Sequence, residues 1–491
     1  MQKITLSQVA VAVRRLASHD NLDKLKAFFM GEWYPIWVAA SVLIGRVTGL
    51  ELYFAMADFV IVSVALLLCD SVRPVLPNLI SFLYRISLEH GPGIPSYSTY
   101  YTGPKMIVFS AFAALFFATL IYFFVKNRLL TGFSVKSTPL FIPLSALSAS
   151  FLLGGAFSGK WSFKDFTFAL LEVFVFFVVF LILYFGLRRE RAEELCNYFV
   201  YICAVTAVIL ILEVVNLFLS VDGIITDGAI RKDLVYFGWG ISNTAGSALS
   251  VLIPICFLGM IRSRSKLSSL AYFMIANLTL IASAMTLSRN AVLVGSVFYL
   301  VCMIISCFVG EQKKLCRIAT LCLLGISLAV ALIFKEQIGV IFTDFSNKGF
   351  SDNGRYRLWS RAWDDFKSAP IFGIGYFSYA VDSYATSTFT PRLAHNTVLQ
   401  LLASMGIFGF ASYITYRVYT FIPFFKKPTK EKAMLLLSIG VLLGESLLDN
   451  FIFWFAPTFI YNIAIVIAFM YCEEQKKKSG LIDTTEPIIT L

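Results

Sequence analysis

Charged residues are scarce in this sequence. Only 14% of its 491 residues are Asp, Glu, Lys or Arg, whereas 58% are hydrophobic. A soluble domain cannot hide that share of apolar side chains in a single core. Apolar segments of about 20 residues, long enough to cross a bilayer, recur from residue 34 to residue 472. The composition therefore excludes a soluble globular protein and predicts a polytopic membrane protein.

The sequence also lacks the patterns that form metal or disulfide sites. Its nine cysteines lie in or beside apolar segments, as Cys203, Cys256 and Cys302 illustrate, and none lies in the longest polar stretch. An Asp-x-Asp pair, which would suit a divalent metal ion, does not occur, and no segment resembles a cleaved signal peptide. We therefore interpret the cysteines as core residues and expect neither a metal ion nor a cofactor.

The basic residues, which give a net charge of +11, are dispersed between apolar segments rather than collected on one polar domain. This dispersal argues against nucleic acid as a partner and is typical of the positive-inside rule. An even number of predicted crossings separates each basic cluster from the next, so all of them should face the cytoplasm. The clusters are Arg188/Arg189/Arg191, Arg262/Arg264/Lys266, Lys313/Lys314/Arg317, Lys426/Lys427/Lys430/Lys432 and Lys476/Lys477/Lys478.

Hydropathy predicts an all-α polytopic membrane protein with about 12–13 transmembrane helices and one long extracytoplasmic loop that contains short helices. An odd number of crossings would place the N-terminus outside, whereas its basic residues argue for inside. One early segment should therefore not be a full span, and the topology of residues 1–100 stays open. The expected organisation is a cytoplasmic basic segment at 1–33, transmembrane helices at 34–334, a catalytic loop at 335–395, transmembrane helices at 396–472 and a cytoplasmic tail at 473–491.

The long loop contains a stretch with helical periodicity, "NGRYRLWSRAWDDFKSAP", which Pro370 should end. Apolar residues at 358, 359, 362, 363 and 366 fall within about 80° on either side of Arg355 in a helical projection. Arg357 falls about 200° away, on the polar face. An inward-facing arginine requires an anion. Arg355 is therefore expected either to form a structural ion pair or to clamp a phosphate group, which its planar fork suits.

Other ionisable residues fall at the same predicted outer surface. Arg289, in "SRN", either extends to the membrane surface or binds an anion. His395 precedes a helix that begins near Asn396, and it either caps that helix or accepts a proton from a substrate hydroxyl. Glu445 and Asp449, four residues apart near the outer end of one span, could supply an alternative base.

Two arginines and a histidine without clustered metal ligands favour an anionic substrate such as a diphosphate. Nucleotide sugars are absent outside the cell, so a sugar donor there must be held in the membrane, for example as a polyprenyl diphosphate. Arginine would neutralise the leaving diphosphate as Mg²⁺ does elsewhere. Gly373 and Gly375, in "PIFGIGYF", permit a tight turn or a close approach of backbone to a ligand.

These motifs resemble those of the O-antigen ligase and polymerase superfamily. The stretch "NGRYRLWSRAWDDFKSAPIFGIGYFSY" followed by "AHNTVLQLLASMGIFGF" has Gly-Arg with Trp four residues later, then Pro-x-x-Gly-x-Gly, then Ala-His-Asn-x-x-Leu-Gln, in that family's order. Arg289, Arg355 and His395 resemble the positions that serve catalysis and lipid-diphosphate binding in that family, which implies a catalytic role for all three. Asn243, in "GWGISNTAGSALSVLIP", weakly resembles an asparagine that opens an earlier span in that family.

The resemblance implies a metal-independent, inverting glycosyltransferase in the bacterial cytoplasmic membrane, with its site facing outward. Its donor would be an undecaprenyl-diphosphate-linked oligosaccharide, its acceptor a glycan or a lipid-linked glycan, and its surroundings membrane lipid. A chain-length regulator and a flippase would be partners. The substrate-binding residues would be Arg289, Arg355, Asn396, Gly373 and Gly375.

Three activities follow from these residues. The favoured one is polymerisation of repeat units of a surface polysaccharide such as O-antigen, capsule or exopolysaccharide. The alternative is ligation of the finished polymer to lipid A core or to another surface acceptor. A third activity, from a different class, is flipping of the lipid-linked glycan, although transporters usually show two repeated halves.

Overall fold

The computed structural model describes residues 19–85, 103–131, 133–159, 161–226, 229–237, 239–333, 335, 354–376, 394–453 and 455–478. Helices dominate these residues, together with one pair of two-residue strands, β1 (Ile225–Thr226) and β2 (Ala229–Ile230). The helices are α1 (His19–Met30), α2 (Trp33–Thr48), α3 (Glu51–Leu68), α4 (Val75–Arg85), α5 (Pro104–Lys126), α6 (Phe141–Leu153), α7 (Phe163–Val173), α8 (Val179–Leu187), α9 (Ala192–Ser220), α10 (Ser242–Arg262), α11 (Lys266–Met285), α12 (Arg289–Phe308), α13 (Lys313–Ile333), α14 (Arg355–Ser368), α15 (Thr397–Phe425), α16 (Lys430–Leu448) and α17 (Phe455–Lys478).

Eight helices in the described part of the chain are long and apolar enough to cross a membrane, or nine if the bent pair α1 and α2 forms one span. The fold class is therefore confirmed as an all-α polytopic membrane protein. Other predicted crossings fall on helices that are shorter or more charged. Helix α6 has 13 residues, and α16 carries Lys430, Glu431, Lys432 and Glu445. The eight are Glu51–Leu68, Pro104–Lys126, Phe163–Leu187 (α7 and α8 counted as one span), Ala192–Ser220, Ser242–Arg262, Lys266–Met285, Arg289–Phe308 and Thr397–Phe425.

The chain divides into two compact units, one from residues 1–132 and 181–241 and the other from residues 133–180 and 242–491. The first unit contains buried ion pairs, because a charge inside an apolar bundle must be matched within the protein. Arg85 pairs with Asp58, and Arg46 lies 3.1 Å from Glu51. These pairs lie between helices at the start of the chain, where the sequence left the topology open.

The second unit is built around α10, whose apolar stretch is fully buried. Small residues let its neighbours approach closely, as is common between membrane helices. A side chain on Gly246 would lie 2.6 Å from the Thr286 hydroxyl, and one on Gly295 would lie 2.7 Å from the Ser250 hydroxyl. Ser438 of α16 donates to the carbonyl oxygen of Val251 at 2.8 Å. Helices α12 and α16 are thus both held against α10.

Helix α15 is interrupted at Gly406, where φ is 66° and ψ is −163°. The break removes the helical hydrogen bonds that the amides of residues 407 and 408 would give to the carbonyls of residues 403 and 404. Residues 370–375 supply replacements for all four groups. Ile407 N and Phe408 N donate to Pro370 O and Ile371 O, while Ile374 N and Gly375 N donate to Ala403 O and Ser404 O, at 2.8 to 3.2 Å. We call residues 370–375 the splint.

Glycine is required in the splint because its backbone lies against that of α15. A side chain on Gly373 would lie 2.3 Å from the carbonyl carbon of Ser404, and one on Gly375 would lie 2.5 Å from the Asp165 carboxylate. Both glycines have positive φ angles, 68° and 89°, which other residues rarely adopt. The close approach expected from this motif is therefore made to other protein atoms, the backbone of α15 at Gly373 and the side chain of Asp165 at Gly375. A substrate-binding role for Gly373 and Gly375 stays a prediction.

Candidate functional site

His395 lies at the entry to α15 and contacts a carboxylate. Its Nδ1 atom is 3.0 Å from Oδ1 of Asp449, and the two side chains are 33% and 18% exposed. The backbone of His395 has φ 50°, a left-handed conformation that costs about 1–2 kcal/mol for a residue with a side chain. Surrounding contacts must therefore hold His395 in place.

Asp449 is the first residue after α16, and its carboxylate is stabilised from several sides. Burial alone would raise the pKa of Asp449, but the hydrogen bond and charge of His395, the backbone N–H of Asn450 and the charge of Arg355 together lower this pKa below its usual range. The N–H of Asn450 lies 2.8 Å from Oδ1. Asp449 is thus an anion at neutral pH and can orient the imidazole.

Arg355 is the first residue of α14, and its charge acts on Asp449. Arg355 is half-buried whereas Arg357 is exposed, in agreement with the predicted helical phase. The helix packs through Ala362 against Leu399 and Ala403 of α15.

The predicted apolar stripe of α14 is wrong at one position. The Trp363 side chain is 47% exposed. The reason is that the contact with α15 centres on the small side chain of Ala362, so the packed face is narrower than the projection indicated.

Asn396 begins α15 and ties it to α16. Its Oδ1 accepts a hydrogen bond from the N–H of Leu399 at 3.0 Å, which caps the helix. Its Nδ2 donates to the carbonyl oxygen of Leu447 at 2.9 Å. Asn396, which the sequence suggested as a substrate-binding residue, therefore has a structural function in fixing the position of His395, and substrate binding stays a prediction.

Glu445 lies one turn before Asp449 on α16 and is fully buried. Its Oε2 accepts hydrogen bonds from Ser247 of α10 at 2.7 Å and from Nδ2 of Asn290 at 2.6 Å. Asn290 also donates to the backbone carbonyl of Glu445 at 3.2 Å. These contacts join the N-terminal ends of α10 and α12 to the C-terminal end of α16.

Arg289 is the first residue of α12 and the neighbour of Asn290, so its backbone lies at the end of the bundle that carries Glu445. Arg289 is half-buried. Asn243, the residue with the weak family resemblance, is the second residue of α10. The described structure therefore brings His395 and Asp449 into contact. It places Arg355 so that its charge helps to lower the pKa of Asp449. Helix α12, which starts with Arg289, begins beside Glu445.

The sequence does not identify Ser247, Asn290 and Asn450 as part of a site, and it shows Gln400 only as the last residue of the Ala-His-Asn-x-x-Leu-Gln motif. Each is a polar side chain within or just beyond the terminal turns of an apolar helix, where a polar residue often has a functional or network role. That signal is weak, because serine and asparagine also hydrogen-bond within their own helices.

The fold and the site together define a polytopic α-helical membrane protein with a carboxylate-paired histidine and a neighbouring arginine at the end of a helical bundle. Residues 274–414 match the family model described as O-antigen ligase, and this match confirms the resemblance of that part of the chain to the superfamily. The matched range includes Arg289, Arg355 and His395 and ends before Asp449. No curated protein shows significant similarity to the chain.

Proposed function

We propose that this chain is a membrane glycosyltransferase that uses undecaprenyl-diphosphate-linked glycans at the outer face of the bacterial cytoplasmic membrane and polymerises repeat units of a surface polysaccharide. The observation that carries the proposal is the 3.0 Å contact between His395 and Asp449, in a chain whose residues 274–414 match the O-antigen ligase family. A histidine paired with a carboxylate is a common general base for activating a hydroxyl.

In the proposed reaction, His395 removes the proton from the acceptor hydroxyl. Because Nδ1 faces Asp449, Nε2 is the nitrogen that takes the proton. The acceptor oxygen then attacks the anomeric carbon of the donor sugar, and the bond from that carbon to the diphosphate oxygen breaks. The attack occurs opposite the leaving group, so the configuration at the anomeric carbon inverts. Asp449 stabilises the resulting imidazolium.

The leaving diphosphate requires positive charge. Arg355 and Arg289 are proposed to supply it, because a guanidinium binds phosphate oxygens with two parallel hydrogen bonds. We expect transfer by the purified enzyme in nanodiscs to survive EDTA, since arginine takes the part that Mg²⁺ has in other transferases. Loss of turnover on chelation that one specific divalent ion restores would contradict metal independence.

Ligation of the completed polymer is the second candidate, and the family description of residues 274–414 favours it. The two activities share one site chemistry and differ in the acceptor. Chain-length analysis of lipid-linked glycans in a deletion strain distinguishes them. We expect single lipid-linked repeat units to accumulate, as polymerase loss requires. Accumulation of long lipid-linked chains would instead assign the ligase activity, and flipping without transfer in sealed vesicles would overturn both.

A further inference from the structure

Gln400 contacts both chain segments that carry the His395–Asp449 pair. Its Oε1 accepts one hydrogen bond from the N–H of Ala394, the residue before His395, at 2.8 Å. The same oxygen accepts a second hydrogen bond from Nδ2 of Asn450, the residue after Asp449, at 2.8 Å. One buried oxygen thus joins the neighbours of the two paired residues.

The amide nitrogen of Gln400 also has a hydrogen-bond partner. Nε2 donates to the hydroxyl of Ser404, one turn further along α15, at 2.8 Å. Because Nε2 can only donate and Oε1 can only accept, the two donors from Ala394 and Asn450 determine which end of the amide faces them, and Ser404 satisfies the remaining donor. The carbonyl of Ser404 accepts from Gly375 N, so the amide is anchored on the part of α15 that the splint completes.

The geometry explains how two residues 54 positions apart keep a 3.0 Å contact. His395 has a left-handed backbone conformation that does not persist without support, and Asp449 lies just beyond the end of a helix. Neither residue is held by regular secondary structure. A shared acceptor between their neighbours limits the movement of both segments at once.

We infer that Gln400 is a positioning residue, which sets the distance between His395 and Asp449 and thereby tunes the imidazole for proton transfer. This inference rests on the proposed function for its effect on catalysis. Its geometric part, that the contact between imidazole and carboxylate depends on Oε1 of Gln400, can be measured without any turnover.

Three variants distinguish the effect of the acceptor oxygen of Gln400 from the effect of the rest of its side chain. Gln400→Leu removes Oε1 and leaves the donors of Ala394 and Asn450 without an acceptor. Gln400→Glu keeps an acceptor oxygen at the same distance along the side chain. Ser404→Ala is the matched control, because it removes only the bond of Nε2.

Kinetics in nanodiscs with a lipid-linked repeat unit test the catalytic effect. We expect Gln400→Leu to lower kcat by about 10- to 100-fold, since misplacing a catalytic group by about 1 Å has effects of that size. KM for the donor should change less than about threefold, because the donor's charge is met by arginine. Ser404→Ala should keep the wild-type kcat. Gln400→Glu, which keeps an acceptor oxygen but adds a buried carboxylate, should have a kcat between those of the wild type and Gln400→Leu.

Imidazole NMR tests the geometry independently of activity. The chain has only three histidines, so ¹⁵N-histidine labelling gives few signals, and His395→Ala assigns the one of interest. We expect Gln400→Leu to shift the His395 signal in the same direction as Asp449→Asn does, while Ser404→Ala leaves it in place. An unchanged His395 signal in folded Gln400→Leu would overturn the inference. If Gln400→Leu shifts the His395 signal but His395→Ala stays fully active, the positioning of the pair is supported and His395 is rejected as the base.

Discussion

His395 is the only histidine of the chain that the O-antigen ligase match includes, and its removal should affect chemistry more than binding. We expect His395→Ala to lower the transfer rate by about 10²- to 10⁴-fold, the usual contribution of a general base. Binding of the diphosphate donor should remain, because arginines carry that contact. Transfer rates and donor affinity of the purified variant measure the two effects separately.

The partner carboxylate decides between two assignments of the base. Asp449→Asn keeps the size of the side chain but removes the charge that orients the imidazole, so we expect the transfer rate to fall by up to about 10⁴-fold. If Asp449→Asn is inactive while His395→Ala transfers sugar at the wild-type rate, the base is the carboxylate of Asp449. Glu445 is a weaker candidate because its side chain is fully buried, whereas Asp449 is 18% exposed.

Arg355 and Arg357 form a matched pair on one short helix. Arg355 is half-buried and its charge reaches Asp449, whereas Arg357 is exposed. Arg355→Ala should reduce donor affinity or rate by an amount equivalent to about 2–5 kcal/mol, while Arg357→Ala should stay within about threefold of wild type. Expression and membrane insertion of both variants serve as controls. Greater sensitivity of Arg357 would place the diphosphate contact on the opposite face of α14.

At the scale of residues, the sequence identified the ionisable groups but not what holds them. His395, Arg355 and the alternative Asp449 were recognisable, because ionisable side chains next to apolar spans are unusual. The bridge through Gln400 was not recognisable, since it joins residues that are distant in sequence and depends on the direction of one amide. The sequence presents Glu445 and Asp449 alike, whereas the structure distinguishes them by burial and by the contact between Asp449 and His395.

Among the elements, the break in α15 has a consequence for stability. A side chain on Gly406 would lie 2.4 Å from the carbonyl carbon of Ile371, at a φ angle of +66°. Gly406→Ala should therefore destabilise the protein by about 1–3 kcal/mol, the usual result of overpacking. Thermal unfolding in detergent micelles measures this loss.

Gly325 provides the control for that substitution. It lies within α13, and nothing is within 4 Å of the side chain that Gly325→Ala would add. This variant should be neutral or more stable by about 0.5–1 kcal/mol, because alanine favours a helix. Equal unfolding temperatures for Gly406→Ala and Gly325→Ala would show that the splint does not require a glycine at the break.

The helices themselves were largely predictable, because hydropathy and period follow directly from composition. Helix α14 was predicted from its periodicity and from Pro370, and the structure confirms it at Arg355–Ser368. The interruption at Gly406 was not predicted, since its flanks have the composition of one continuous span. Hydrogen bonds from a separate loop segment compensate for the break, and such pairing leaves no periodic signal in the sequence.

For the whole molecule, the basic clusters predict which ends of the helices face outward. Cys322 is exposed and Cys307 is half-exposed, while the other seven cysteines are buried. A variant with Cys307 and Cys322 replaced by serine should thus react little with a thiol reagent before a new cysteine is introduced. When Ser360→Cys on α14 is added to that variant, we expect the new cysteine to react with a membrane-impermeant maleimide in intact spheroplasts.

The control for orientation is Ser265→Cys. This exposed residue lies between Arg264 and Lys266, in a cluster predicted to face the cytoplasm. It should react only after the membrane is opened. Labelling of Ser265→Cys but not Ser360→Cys in intact spheroplasts would reverse the orientation and place the candidate site inside the cell.

The splint also limits how the enzyme can open. A loop that completes a broken helix cannot swing away as a lid, because four backbone groups of α15 and four of the splint would lose their partners, and each buried unpaired group costs about 1–3 kcal/mol. Residues 370–375 and the adjoining turns of α15 should therefore move as one rigid body. Substrate entry and product release must use other parts of the chain, and cross-linking residues 370–375 to α15 should leave turnover unchanged.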